Sequence, residues 1–446
     1  MKAVKCPLEP GFFWYDKCQL ESPIIVAEFF SHFKNPWGGL SMKQGLNRRT
    51  FLRNVGLAAA GALVGCNKVL PEVAAITNKN TTTGTTTTTT TDLTASLKKI
   101  PKWRGFNIAD YFQPDPWYVG ENTPEALFKY VADWGFDFIR LPVAYPTYLD
   151  LAAGQQNINA DDVYKIDENK ADKIQNTIYL AQKYNLHVSL NLHRAPGYCV
   201  SAGYHEPYNL WTQQDAQHAF VYHWSYWAKR FKNVSTQKIS FDLVNEPCYR
   251  EDVNNTSSKT TAVPGATYRT VAQAATLAIR KENANFYVIA DGNNGATDPV
   301  SELVDLNIAQ SCRGYVPYEI THYKAPWVFP DPAYQPTPVW PGEMGGKYYS
   351  RATMEEYYKP WIDLAKSGVG VHCGECGAWK ETPHEVFLAW FDDVLDILTS
   401  NGIGFALWDL KGDFGILNSN RSDIQYEDWY GYKLDRKLLT MMQSKK

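Results

Sequence analysis

Short apolar runs alternate with longer segments of helical period through most of this chain, and that alternation restricts the fold more than any other feature. Strand-like runs fall at Trp103 to Asn107, Phe136 to Leu141, His187 to Leu192, Lys238 to Val244, Phe286 to Ala290, Tyr318 to Thr321, Gly368 to Val371 and Ile403 to Leu407. Between them, Pro124 to Trp134, Asp167 to Tyr184, Gln213 to Phe231, Tyr268 to Lys281, Met354 to Lys366 and Pro383 to Thr399 read as helices. The pattern is least clear in the fifth unit, around Val300 to Ile308. Strands that alternate with helices form parallel sheets, and eight such units predict an α/β fold, the (β/α)8 TIM barrel. Thr123-Pro124 and Thr382-Pro383 each fit an N-cap followed by Pro at the first helical position. About 350 residues follow position 98, within the range of one barrel domain, here taken as 99–446. An apolar content of 44% suffices for its core.

Two of the expected strands end in carboxylates. Ile239-Ser-Phe-Asp-Leu-Val-Asn-Glu-Pro247 runs from a buried-strand pattern into Glu246, with an amide before it and a proline after it. Val369-Gly-Val-His-Cys-Gly-Glu375 ends in the same way. Barrels of this type carry their chemistry at the C-terminal strand ends, so these two acids face one cleft. Paired carboxylates there point to glycoside hydrolysis. A net charge of −3 gives no footprint for nucleic acid, and uncharged partners are expected. The 15 Trp and 28 Tyr supply rings on which sugar faces stack, although most rings of this size are buried in cores.

From Ile100 onward the chain resembles glycoside hydrolase family 5, retaining β-glycosidases on the (β/α)8 barrel. Arg140 in Ile139-Arg-Leu-Pro142 matches the family's second-strand Arg, which orients the nucleophile. His193 in Asn191-Leu-His-Arg-Ala-Pro-Gly197 matches a His beside the subsite where the bond breaks. The resemblance implies that Asn245 bonds the sugar 2-hydroxyl, that Glu246 is the acid/base, and that Glu375 is the nucleophile, with the two acids about 5 to 5.5 Å apart. Glu246 is expected to titrate high through burial and its neighbouring carboxylate. On the sixth strand, His322 in Ile320-Thr-His-Tyr-Lys-Ala-Pro-Trp327 is carried over. Many members have His-x-Tyr there, whereas this chain has Lys324, and Tyr323 stands one residue early; a bulge is needed to aim its ring inward. Trp408 in Phe405-Ala-Leu-Trp-Asp-Leu-Lys-Gly412 matches the Trp under the attacked sugar. His193-Arg-Ala-Pro-Gly197, Gly412 to Asn418 and Tyr426 to Asp435 are similar to the family's exo-β-1,3-glucanase branch, which biases the substrate towards a β-glucan.

Specificity is expected in the loops, the longest running from Tyr323 to Arg351, with Tyr204, Tyr208, Trp211 and Tyr249 as further stacking candidates. No cofactor or metal is expected, since Cys373-x-x-Cys376 lacks the second pair a zinc site needs. Near the N-terminus, Asn47-Arg-Arg-Thr-Phe-Leu-Arg53 and the apolar stretch to Gly65 resemble a twin-arginine export signal, and Leu63-Val-Gly-Cys66 resembles a lipobox. Residues 42–66 are therefore read as an export signal with a lipid-anchored Cys66, and 67–98 as a Thr-rich tether. Met42 is the expected start, which leaves 1–41 as an upstream extension without a folded role. The protein is expected to be an exported, lipid-anchored monomer that meets oligo- or polysaccharide. A non-catalytic glycan-binding lipoprotein is the rival from another class, and mannan-active or transglycosylating enzymes are rivals within the same one.

Overall fold

The computed structural model describes residues 97–113, 122–199, 204–255 and 258–446. The readings over 1–66, including the export signal and Cys66, lie outside the described residues, as does all of the tether except its last two positions.

Eight parallel strands close into a barrel: β1 Arg104–Asn107, β2 Phe138–Ala144, β3 His187–Arg194, β4 Ile239–Asp242, β5 Tyr287–Asp291, β6 Ala309–Gly314, β7 Val371–Cys376 and β8 Gly404–Leu407. Each pairs with its neighbours in chain order, and β8 pairs with β1. Every residue of β2 and β3 is buried, as expected for strands with the interior on one face and helices on the other. The helices are α1 Glu125–Asp133, α2 Glu168–Lys183, α3 Gln214–Phe231, α4 Gly265–Glu282, α5 Arg351–Lys366, α6 His384–Ser400 and α7 Arg436–Ser444. Each turns one apolar face to the barrel: Leu127, Phe128 and Val131 on α1, and Ala216, Phe220, Trp224, Trp227 and Phe231 on α3. Asp167 caps α2 through the amides of Asn169 and Lys170, and Ser350 with Thr353 forms a capping box on α5.

The sequence misplaces the sixth strand. Tyr318–Thr321 is a single helical turn, and the sixth barrel strand is Ala309-Gln-Ser-Cys-Arg-Gly314. This strand is polar because it lines the charged end of the interior, so a search for apolar runs passes over it. The proline reading also differs. Pro124 and Pro383 are themselves the N-cap residues, with ψ of 143° and 126° and no capping side chain. Thr123 bonds Asp110 instead, and Thr382 donates to the Ile320 carbonyl.

At the N-terminal end of the strands, rings fill the interior. Trp103 stacks on His187 (centroids 3.9 Å apart) and on Phe138 (5.4 Å), and Phe138 meets His372 at 4.6 Å. Burial pushes both histidines down to about 3, so this floor is neutral. At the opposite end the ladders slip. The β6–β7 register passes from Cys312↔Cys373 to Arg313↔Glu375, leaving Gly374 as an extra residue. A Cβ at Gly374 would lie 2.7 Å from Ser311 Oγ and 3.1 Å from Arg313 Nη1, so a side chain there would displace the groups that the slip brings together. The slip lets Arg313 and Glu375 face the interior together.

Candidate active site

Side chains on or just after six strands, β1, β2, β4, β5, β6 and β7, converge on a buried ionic cluster. Arg140, in the middle of β2, donates from Nε to Asp242 Oδ2 (2.8 Å), from Nη1 to Glu375 Oε1 (2.6 Å) and Asn107 Oδ1 (3.2 Å), and from Nη2 to Asn245 Oδ1 (2.8 Å). Arg313, from β6, mirrors it. Its Nε lies 3.0 Å from Glu246 Oε1, and its Nη2 donates to Asn245 Oδ1 at 2.8 Å and lies 3.4 Å from Glu375 Oε1. Both edges of its fork also meet Asp291, at the end of β5. Two guanidinium groups thus hold four carboxylates, all under 9% exposed. Buried charge persists only when paired and hydrogen-bonded in this way.

Glu246 follows β4 with its backbone in the left-handed region (φ 48°). That conformation is uncommon for a residue with a side chain, and two bonds hold it: the Glu246 amide donates to Asp291 Oδ2 (2.8 Å), and its carbonyl accepts from the Tyr198 hydroxyl (2.5 Å). Burial, reinforced by the Glu375 charge, pushes the Glu246 carboxyl up to about 7 against the pull of Arg313. Burial and Asp291 likewise push Asp242 up to about 7. A carboxyl that titrates near neutrality can both give and take a proton.

Tyr315, just beyond β6, donates its hydroxyl to Glu375 Oε2 at 3.2 Å. Burial and the Glu375 charge raise this phenol well above its ordinary value, so it stays a donor. The contact with Glu375 expected of Tyr323 is made by Tyr315 instead: the Tyr323 ring lies 5.1 Å under Lys324 Nζ, and its hydroxyl is 3.5 Å from Thr337 Oγ1. The cause is the displaced strand, because the Arg-x-Tyr at 313–315 occupies the strand end at which the sequence reading put His322. His322 packs edge-on to Tyr315 at 5.3 Å, and burial pushes it down to about 3.

His193 and Trp408 form the opposite wall, stacked at 5.5 Å with Phe112 edge-on to both. His193 is held well below its ordinary value by burial and by nearby arginines, and neither of its ring nitrogens has a partner among the described residues. Asn245 Nδ2 is likewise buried without a partner. Buried polar atoms are in general hydrogen-bonded, and although others such as Ser189 Oγ and Trp227 Nε1 also lack a partner among the described residues, these unpaired atoms lie beside the paired carboxylates and are open to a ligand hydroxyl. Trp211 and Tyr208 are core residues, and the Trp211 indole donates to the Cys248 carbonyl. Of the long loop, Trp340 bonds Asp393 on α6, while Tyr334 and Tyr348 are exposed.

The structure thus brings together Arg140, His193, Asn245, Glu246, Glu375 and Trp408, sets His322 beside them, and leaves Tyr323 outside. Sequence reasoning missed Asp242, Asp291, Arg313 and Tyr315. A signal existed for two of them: Asp291 directly follows an expected strand, and Arg313 is a strand arginine like Arg140. Among the described residues no group of three or more His, Cys, Asp or Glu is placed to hold a metal ion. The five described cysteines are buried.

Comparison with known proteins agrees with this geometry. Residues 90–414 match the model of the family described as Cellulase (glycosyl hydrolase family 5). Endoglucanase C of Acetivibrio thermocellus is 28% identical over 323 residues, covering 67% of this chain and 87% of that protein. Cellodextrinase A of Ruminococcus flavefaciens is 26% identical over 295 residues, covering 64% and 76%. A crystal structure of a glycoside hydrolase superposes with a TM-score of 0.68 at 34% identity, covering 77% of this chain and 99% of that one.

Proposed function

The chain belongs to glycosyl hydrolase family 5 and is a β-glycoside hydrolase; from that premise we propose that it cleaves a β-linked glucan with retention of configuration. One observation carries the reading. Glu246 and Glu375, at two strand ends, form ion pairs with the same guanidinium group of Arg313, so both stand within reach of one glycosidic bond. Glu375, aimed by Arg140 and Tyr315, attacks the anomeric carbon as the bond to the leaving oxygen breaks. Glu246 gives its proton to that oxygen. The ester between Glu375 and the sugar is then opened by water, whose proton passes to Glu246, and Glu375 leaves as the carboxylate. Asn245 Nδ2 and the neutral His193 ring offer bonds to sugar hydroxyls, and Trp408 offers a face on which the ring stacks.

The substrate class rests on the similarity to an endoglucanase and a cellodextrinase. Export with a lipid anchor at Cys66 belongs to the same proposal and rests on the Arg48-Arg49 and Leu63 to Cys66 motifs. Incorporation of labelled fatty acid, abolished by Cys66→Ser, tests the anchor. The function is tested by product release from β-1,3-, β-1,4- and mixed-linkage glucans, mannan and xylan, with the first-formed anomer read by proton NMR. Release of the β anomer from a glucan, lost in Glu375→Ala and Glu246→Ala, supports the reading. An α anomer would refute retention, and binding without turnover would favour a glycan-capturing protein. Preference for mannan would move the substrate and leave the mechanism.

A further inference from the structure

We propose that Asp291 is a positioning residue for the acid/base, acting through two simultaneous contacts: it holds the Glu246 backbone amide, and it neutralises Arg313, the cation that Glu246 faces. The inference rests on Glu246 being the acid/base and adds what prepares it.

Arg313 can present its charge to Glu246 in two ways. Left alone, a guanidinium 3.0 Å from a buried carboxylate keeps that carboxylate ionised, and an ionised acid cannot protonate a leaving group. Here the fork of Arg313 is closed on Asp291, through Nη1 to Oδ1 at 3.1 Å and through Nη2 to Oδ2, and only the Nε edge is left for Glu246. The pair is a salt bridge in its own right, with Asp291 fully buried. Glu246 therefore meets a donor whose charge is largely cancelled from behind. Arg313 stays bonded to Glu246 without fixing its protonation.

The other groups around Glu246 complete the balance. Glu375 on β7 and Asp291 on β5 favour the neutral acid, and Arg313 on β6 opposes it. The phenols of Tyr315 and Tyr318, after β6, feel the Glu246 charge, as does the Cys248 thiol two residues on. The backbone contact matters equally. Asp291 Oδ2 receives the Glu246 amide at 2.8 Å, where φ is 48°, so one carboxylate fixes where the acid stands and how strongly its cation pulls. Among the described residues Asp291 makes no hydrogen bond or ion pair with Glu375; beyond Glu246 and Arg313 its carboxylate lies 3.8 Å from Arg140 Nη2, and it acts on the acid through Glu246 and Arg313.

The test reads Glu246 directly. Glutamate side-chain carboxyls are labelled with carbon-13 in the full chain, the Glu246 signal is assigned by its loss in Glu246→Gln, and its titration is followed by NMR. In Asp291→Asn the uncancelled Arg313 should lower the midpoint by about one pH unit or more. In Arg313→Gln the midpoint should rise. The alkaline limb of kcat/KM on p-nitrophenyl β-cellobioside should move in the same two directions, a split that loss of structure cannot produce. A Glu246 midpoint unmoved in Asp291→Asn, or moved the same way in both variants, would overturn the proposal. So would the absence of a cooperative melt in both, which would make the pair a requirement of folding. The NMR titration needs no turnover, so inactivity on every glucan would sink the proposed function and leave this result standing.

Discussion

Replacing Arg140 with Met should destabilise the barrel by an amount that depends on pH. Arg140 is 1% exposed and bonds Asp242, Glu375, Asn245 and Asn107. Methionine fills much of the volume, so packing changes little, but the carboxylates lose a counter-charge. Glu375 keeps Arg313 at 3.4 Å, whereas Asp242 Oδ2 loses its ion pair and Oδ1 has no partner. Breaking a buried pair from one side costs about 3–5 kcal/mol. With an unfolding entropy of about 2 cal/mol/K per residue over roughly 350 residues, ~4 kcal/mol is about 5 °C in Tm. This loss applies where Asp242 is ionised. Asp242 is already pushed up to about 7 and rises further without Arg140, so at about pH 5 it is neutral and most of the penalty disappears. Calorimetry of the wild type and Arg140→Met at pH 5 and pH 8 checks this. Equal losses of Tm at both values would refute the argument and make lost packing the cause.

Tyr315→Phe removes a donor to a carboxylate worth about 1.5–3 kcal/mol, so kcat should fall roughly 10- to 150-fold, whereas Tyr323→Phe should change it less than about twofold. Steady-state rates on the preferred glucan decide between the two tyrosines, and the reverse order would restore the sequence reading. Stability of the wild type should peak in mildly acidic solution. Burial pushes Glu246, Asp242 and Glu206 up to about 7 and Asp409 to about 8, so their contribution is full below the unfolded values near 4 and is lost as pH rises through 7 to 8. Burial pushes His187, His223, His322 and His372 down to about 3, so theirs is present above about 6.5 and lost as pH falls through 3. Melting scans from pH 3 to 9 should show a decline on both sides, and a steady rise from pH 6 to 9 would contradict the raised carboxyls.

The barrel was legible because strands such as Phe138–Ala144 and His187–Arg194 are buried on both faces and so read as short apolar runs. The same criterion failed at Ala309–Gly314, where the inward positions carry Ser311 and Arg313 and the strand looks like a polar loop. That one error displaced the tyrosine assignment, since Tyr315 stands at the end of the true strand and Tyr323 lies beyond a helical turn. Glu246 and Glu375 were visible because a carboxylate directly after an apolar run is conspicuous. Asp291 satisfied the same rule but had no motif around it. The slip that turns Arg313 and Glu375 inward together depends on ladder geometry around Gly374, which residue identities do not encode locally. Thr123 and Thr382 show a similar limit: each has the chemistry of a cap, and tertiary partners claim it.

Trp103, His187, Phe138 and His372 stop the barrel from below with neutral rings, so the buried ionic cluster is approached from the C-terminal ends of the strands. Under the proposed function, a glucan lying across those strand ends becomes the cork of a closed vessel. On that mechanism, whatever proton Glu246 holds when the sugar arrives serves the first bond cleavage, and a bound chain that blocks exchange with bulk water would keep it there. Solvent acidity then acts chiefly on the empty enzyme. In kinetic terms, kcat/KM should follow pH closely, while kcat, which reports the sealed complex, should run flatter across the same range.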